Sequence, residues 1–123
     1  MSNALHHLPR ILTGFSGVLA VAMGAVAAHA VASPHAAAMV QQAALYQLIH
    51  TVALLVILGR PSRMSSIAAS LWAAGILLFS IGLYARYIGG LPIPSGVVPF
   101  GGICYMLGWF TLAIPFTSQS KSL

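Results

Sequence analysis

Four long apolar stretches, each of about 20 residues, occupy most of the chain and leave little sequence for anything else. They cover residues 11–31, 39–58, 67–88 and 97–116 of the 123-residue sequence. A helix needs about 20 mainly apolar residues to cross a bilayer. We therefore predict an all-α integral membrane protein, with residues 1–123 forming one bundle of four transmembrane helices.

Turn-forming residues separate these stretches. Ser-Pro-His at residues 33–35, Pro-Ser-Arg at 61–63 and the Gly- and Pro-rich segment 89–96 mark three short loops. One alternative concerns the first stretch, because a basic residue, an apolar run and Ala28-His29-Ala30 also resemble a secretory signal peptide. The apolar run exceeds the 7–15 residues usual for a signal peptide, which favours a membrane span.

Charged residues are almost absent. The chain has no Asp or Glu and carries 4% charged residues, against about 25% in soluble domains. A soluble monomer is therefore excluded, and so is any mechanism that uses the chain's own Asp or Glu carboxylates. The apolar composition also excludes intrinsic disorder. The five basic residues are scattered, so we expect contacts with the lipid bilayer and no nucleic-acid partner.

The positions of the basic residues predict the topology. With four spans, Arg10, Arg60, Arg63 and Lys121 all fall on one side of the membrane, and Arg86 falls near the other. The positive-inside rule places the basic side in the cytoplasm. We therefore expect both termini in the cytoplasm and a multi-pass location in the inner (plasma) membrane.

The second stretch contains the main group of polar residues, Tyr46, Gln47 and His50. Their spacings of three and four residues place them on one helix face. Polar groups at this depth need partners within the protein. The cluster is either a proton-handling or ligand-binding site around His50, or a set of interhelical hydrogen bonds, and the second interpretation is favoured.

Other polar residues lie within reach of this cluster. In the third stretch, Ser80 and Tyr84 reach depths close to those of Gln47 and Tyr46, so contact between the two helices is expected. Arg86 is expected to extend to the outer interface, although it could instead bind an anionic headgroup or substrate. We include His29, near the outer end of the first stretch, in the same intramembrane polar set.

No cofactor or metal is expected. His29 and His50 differ in depth by roughly 10–15 Å, which argues against a haem held by both within one chain. Motifs for phosphate-binding loops, nucleophile elbows and metalloprotease helices are missing from the sequence. Small residues at four-residue spacing, such as Ala20, Gly24 and Ala28, are typical of helix–helix packing in membranes. We therefore do not expect an enzyme.

Four short motifs resemble one family. They are residues 24–30 (GAVAAHA), 46–50 (YQLIH), 78–84 (LFSIGLY) and 99–102 (PFGG), the last followed by Gly108-Trp109. Together they are similar to the bacterial membrane proteins called domain of unknown function 423, related to the animal transmembrane protein 256 group. The sequence differs at Ile81 and Gly82, where the family pattern has Gly and Ser. The resemblance implies four spans, supplies no substrate, and points to the polar positions already named.

Three functional hypotheses follow. The favoured one is an accessory or structural subunit of a larger membrane complex, such as a respiratory enzyme, with other membrane subunits as partners. The alternative is a small channel or transporter for an anion or neutral solute, acting as a homo-oligomer; the chain lacks the membrane-embedded Glu of cation-coupled exporters. The third is a cofactor binder that uses His29 and His50.

Overall fold

The structure, a computed structural model, describes residues 2–114 and the side chains of residues 5–114. Within this range the chain forms four helices: α1 (Ser2–His29), α2 (Pro34–Leu58), α3 (Arg63–Tyr87) and α4 (Val97–Ala113). The first three contain 25-residue segments long and apolar enough to cross a membrane, whereas α4 is a shorter apolar helix of 17 residues. Lys121, used in the topology prediction, lies outside the described residues.

The helix ends differ from the predicted span ends for local reasons. α2 begins at Pro34, five residues before the predicted span, because Ser33 caps it and proline suits the first helical turn. α3 begins at Arg63, where Ser62 Oγ accepts a hydrogen bond from Ser65 N (3.0 Å). α4 ends at Ala113, since Ile114 precedes a proline and has extended backbone angles.

The first helix is longer than its predicted span at one end and shorter at the other. α1 begins at Ser2 and includes Pro9, so the helix also contains residues that precede the predicted span. Near Pro9, Thr13 Oγ1 donates to the Pro9 carbonyl (2.6 Å). The helix ends at His29, two residues before the predicted end.

The third helix is not uniform. Residues Ile76–Ile81 form a π-helical segment between α-helical Arg63–Gly75 and Gly82–Tyr87. π-Helical turns inside α-helices are rare and occur often at functional sites. This one carries Ser80, a fully buried residue that faces α2 and α4. The sequence analysis did not anticipate the π-helical segment.

The helices pack as two pairs, α1 with α2 and α3 with α4. α3 also contacts α2, which joins the two pairs. Two apolar clusters form the core. One includes Val40, Ala43 and Leu83, and the other includes Leu54, Trp72 and Ile76. Along α2, Gln47 and His50 lie between these clusters, so the apolar core holds the polar residues from both ends.

Candidate functional site

Gln47 joins three helices through its side-chain amide. Its Nε2 donates to the Ser16 carbonyl (3.1 Å) and to Ser16 Oγ (3.0 Å) on α1. Its Oε1 accepts from Tyr84 Oη on α3 (2.6 Å). Ser16 Oγ also forms a hydrogen bond with Thr51 Oγ1 (2.8 Å), one turn along α2 from Gln47. Gln47 is therefore a buried connection between α1, α2 and α3.

His50 has both ring nitrogens occupied. Nδ1 lies 2.6 Å from the Tyr46 carbonyl, which can only accept, so Nδ1 carries the hydrogen. Nε2 lies 3.0 Å from Trp109 Nε1, and an indole can only donate. These two partners fix the neutral Nδ1–H tautomer, because a proton on Nε2 would face the indole N–H. The imidazole also stacks on the Tyr105 ring, with centroids 3.7 Å apart.

Ser80 joins the other side of the network. Its hydroxyl donates to the Ala43 carbonyl on α2 (2.8 Å) and therefore accepts from Tyr105 Oη on α4 (2.9 Å). The main-chain carbonyl of Tyr105 accepts a hydrogen bond from Trp72 Nε1 on α3 (3.2 Å). Tyr105 thus connects α4 to α3 by its hydroxyl, its carbonyl and its ring.

Close approach of α4 to α3 depends on glycines. A Cβ atom at Gly75 would overlap the Tyr105 ring, and one at Gly108 would overlap the Trp72 indole. A Cβ atom at Gly101 would overlap the backbone of α3 at Leu78 and Phe79. Gly75 and Gly108 therefore make room for the Tyr105 and Trp72 rings, and Gly101 lets the backbones of α3 and α4 approach each other.

The predicted polar residues divide into those inside and those outside this network. Gln47, His50, Ser80 and Tyr84 come together as expected, although Ser80 bonds to Ala43 and Tyr105 instead of to Tyr46 or Gln47. Tyr46 contributes its carbonyl to His50, and its ring stacks on Phe79 with centroids 5.2 Å apart.

The structure places His29 apart from this network. It is the last residue of α1 and its side chain is exposed, whereas the network lies several turns farther along the bundle. Arg86 is half-buried, and its guanidinium donates to the Ile93 carbonyl in the loop before α4. Arg86 therefore holds this loop against the end of α3.

Several network residues were missed by the sequence analysis. Ser16 and Thr51 are ordinary small polar residues in apolar helices, and Trp109 was noted only as part of the family motif. Helix periodicity contained a partial signal, because Thr51 follows Gln47 by four residues and Trp109 follows Tyr105 by four. Without helix-pairing information, however, the partner of each residue could not be assigned.

The polar groups of the network are bonded to partners within the protein. Among the described residues, every buried side-chain nitrogen or oxygen has a partner. In the same part of the chain, no group of three or more His, Cys, Asp or Glu side chains could hold a metal ion. The arrangement is therefore well suited to holding four helices together.

These features define an all-helical, multi-pass membrane protein with a hydrogen-bonded polar interior. The chain matches the family model described as "Protein of unknown function (DUF423)" over residues 23–102, and it belongs to this family. The matched segment includes all the polar positions predicted from the sequence and ends before Tyr105 and Trp109.

Named relatives agree with this assignment. The chain is 34% identical to a "UPF0382 membrane protein" of Haemophilus influenzae over 118 residues, covering 91% of this chain and 94% of the relative. It is 34% identical to UPF0382 membrane protein SAB0533 of Staphylococcus aureus, covering 85% and 90%. It is 31% identical to UPF0382 inner membrane protein YgdD of Escherichia coli K12, covering 85% of each. No solved structure matches the chain.

Proposed function

We propose that this protein is a non-catalytic accessory subunit that packs against other subunits of a larger membrane complex. The interior supports this role, because its polar groups are already paired with one another and connect all four helices. A rigid bundle of this kind presents defined helix faces to a partner. The single observation that carries the proposal is that glycines between α3 and α4 lie against neighbouring residues, whereas two glycines of α1 face open space.

Two of the three glycines of α1 make no close contact within the chain, whereas a Cβ atom at the third, Gly17, would lie 3.7 Å from the Thr51 side chain. A Cβ atom at Gly14 or Gly24 would meet nothing within 4 Å, whereas at Gly75, Gly101 or Gly108 it would overlap a neighbour. In membranes, small residues allow a second helix to approach closely. α1 packs mainly on α2, and exposed Ala22, Ala25 and Ala28 continue the small-residue surface beside these glycines. The partner is therefore proposed to contact α1.

The proposal includes four spans, with both termini in the cytoplasm of a cell whose inner membrane holds the protein. The 17 residues of α4 are at the short end of the range that can cross a bilayer. Arg10, Arg60 and Arg63 lie on the side opposite Arg86, as the positive-inside rule requires for this orientation. The relative YgdD is named an inner membrane protein, which supports the location.

The experiment is affinity purification of the tagged protein at its natural expression level in mild detergent, followed by mass spectrometry. Gly14→Leu combined with Gly24→Leu is the test variant, and Ala38→Leu on α2 is the control, since Ala38 is exposed on another helix. We expect the wild type and the control to retain the same partner subunits and the double variant to lose them while staying folded.

Two results would contradict the proposal. One is retention of the same partners by the double variant, which would show that the partner does not contact the small-residue surface of α1. The other is a wild-type protein that purifies only as a homo-oligomer, which would favour the small channel or transporter. In that case liposome flux of anions and neutral solutes, with and without His50→Ala, becomes the deciding measurement.

A further inference from the structure

A second surface lies on the opposite flank of α1 and does not depend on the proposed partner. Near the N-terminal half of α1, a groove of about 490 Å³ opens between α1, α2 and α3. Its floor includes Leu54 and Leu58 of α2, and its walls include Leu12 of α1 and Ala73 and Leu77 of α3. This volume is within the usual range for small-molecule sites.

The groove is chemically apolar, although hydroxyl groups line part of it. Thr13 Oγ1 donates to the Pro9 carbonyl (2.6 Å), and Ser70 Oγ donates to the Ser66 carbonyl (3.0 Å). Ser16 Oγ is engaged with Gln47 and Thr51. The hydroxyls are therefore satisfied by the protein, and the remaining surface offers contacts that suit a hydrocarbon chain.

The depth of the groove corresponds to one leaflet. From Leu8 to Ser16 along α1, the lining extends over roughly 12 Å at 1.5 Å per residue. Half of the hydrocarbon core of a bilayer is about 15 Å thick. The groove starts at the end of the bundle where α2 stops at Leu58, so its closed end lies near the middle of the bundle, beside Ser16.

Two basic residues lie at the open end. Arg60 follows the lining residue Leu58 by two residues, and Arg63 begins α3, which lines the groove from Ala69 onward. Both side chains are exposed. Because the sequence has no Asp or Glu, no side-chain carboxylate of this chain can neutralise them. An apolar groove with two unneutralised arginines beside its open end matches a molecule with an anionic head and a hydrocarbon tail.

We propose that this groove binds an anionic phospholipid, with one acyl chain lying along Leu12, Leu54 and Leu77 and the phosphate at Arg60. Arg63, at the start of α3, adds to the preference for a net negative headgroup over a zwitterionic one. A basic residue near an anionic membrane surface strengthens binding on the order of fivefold. The site is thus selective by headgroup charge and not by acyl-chain identity.

The experiment is native mass spectrometry of the whole protein, purified in mild detergent and exposed to an equal mixture of phosphatidylglycerol and phosphatidylethanolamine. Ala73→Trp fills the groove from its α3 wall, and Ala38→Trp is the matched control at an exposed position of α2 outside the groove. Arg60→Gln changes an exposed loop residue, so it tests the headgroup contact without disturbing the bundle.

We expect the wild type and Ala38→Trp to retain one phosphatidylglycerol in preference to phosphatidylethanolamine. Ala73→Trp should lose at least tenfold of this binding, and Arg60→Gln should lose about fivefold, with phosphatidylethanolamine unaffected. Equal retention of the two lipids, or unchanged binding by Arg60→Gln, would overturn the proposal. So would near-complete disulfide dimerisation of Ser70→Cys in a Cys104→Ala background, because a second copy would then occupy the groove.

Discussion

Replacing Gln47 by leucine tests whether the polar network holds the bundle together. The substitution places an apolar side chain of similar size at this buried position. It removes both hydrogen bonds to Ser16 and the one from Tyr84. It also leaves the Tyr84 hydroxyl without its acceptor. The expected result is a less stable bundle in which α1 separates from α2 and α3 more easily.

The magnitude follows from the number of bonds and their setting. Interhelical hydrogen bonds in membrane proteins contribute about 0.6 kcal/mol on average, so three lost bonds correspond to about 2 kcal/mol. The stranded Tyr84 hydroxyl adds a desolvation cost of about 1 kcal/mol or more. We therefore expect Gln47→Leu to lower the free energy of unfolding by about 2–3 kcal/mol.

The assay is reversible unfolding in mixed micelles, with the single variants Gln47→Leu and Tyr84→Phe and their combination. Since the two side chains share one hydrogen bond, the double variant should lose less than the sum of the singles, by about 0.6–1.7 kcal/mol. Gln42→Leu, at an exposed position of α2, is the control and should change stability little. Strict additivity, or a Gln47→Leu protein as stable as the wild type, would refute the reasoning.

Three further outcomes are expected. In the same unfolding assay, Gly108→Ala should destabilise the chain by about 1–3 kcal/mol, because its Cβ would overlap Trp72. Gly14→Ala should be neutral or stabilising by up to about 1 kcal/mol, because its Cβ would meet no neighbour. Equal effects of the two substitutions would contradict the observed packing of α3 and α4. Nitrogen-15 NMR of labelled histidine at neutral pH should show His50 as the neutral Nδ1–H tautomer, and an Nε2–H signal would contradict the Trp109 contact. Ser80→Ala, which frees Tyr105 Oη, should cost about 1 kcal/mol; unchanged stability would show that the π-helical segment does not need this bond.

Much of the fold could be predicted because hydrophobic length and turn chemistry act locally. Apolar runs and Pro- or Gly-rich breaks located all four helices, and the Ser33-Pro34 pair contained the cap signal that sets the true start of α2. The π-helical segment could not be predicted from these patterns. It lies where α3 packs on both α2 and α4, and its signal in the sequence is weak.

The site was predictable only in part, for a related reason. Gln47 and His50 stand out because strongly polar side chains in an apolar helix require partners. Their partners are less distinctive: a serine, a threonine, a main-chain carbonyl and the aromatic residues Tyr105 and Trp109. These residues become recognisable only when the pairing of helices is known. The separation of His29 from the network could not be predicted, because residue type alone does not distinguish a buried histidine from an exposed one at a helix end.

The central claim is that this chain acts as part of a larger membrane assembly. The most direct test is the mass of the native particle, measured after extraction of the protein from its own membrane into lipid nanodiscs without overexpression. The account predicts a particle far heavier than the 12.8 kDa chain, with a reproducible set of other membrane subunits identified by mass spectrometry. A particle containing only this chain, as a monomer or a homo-oligomer, would contradict it.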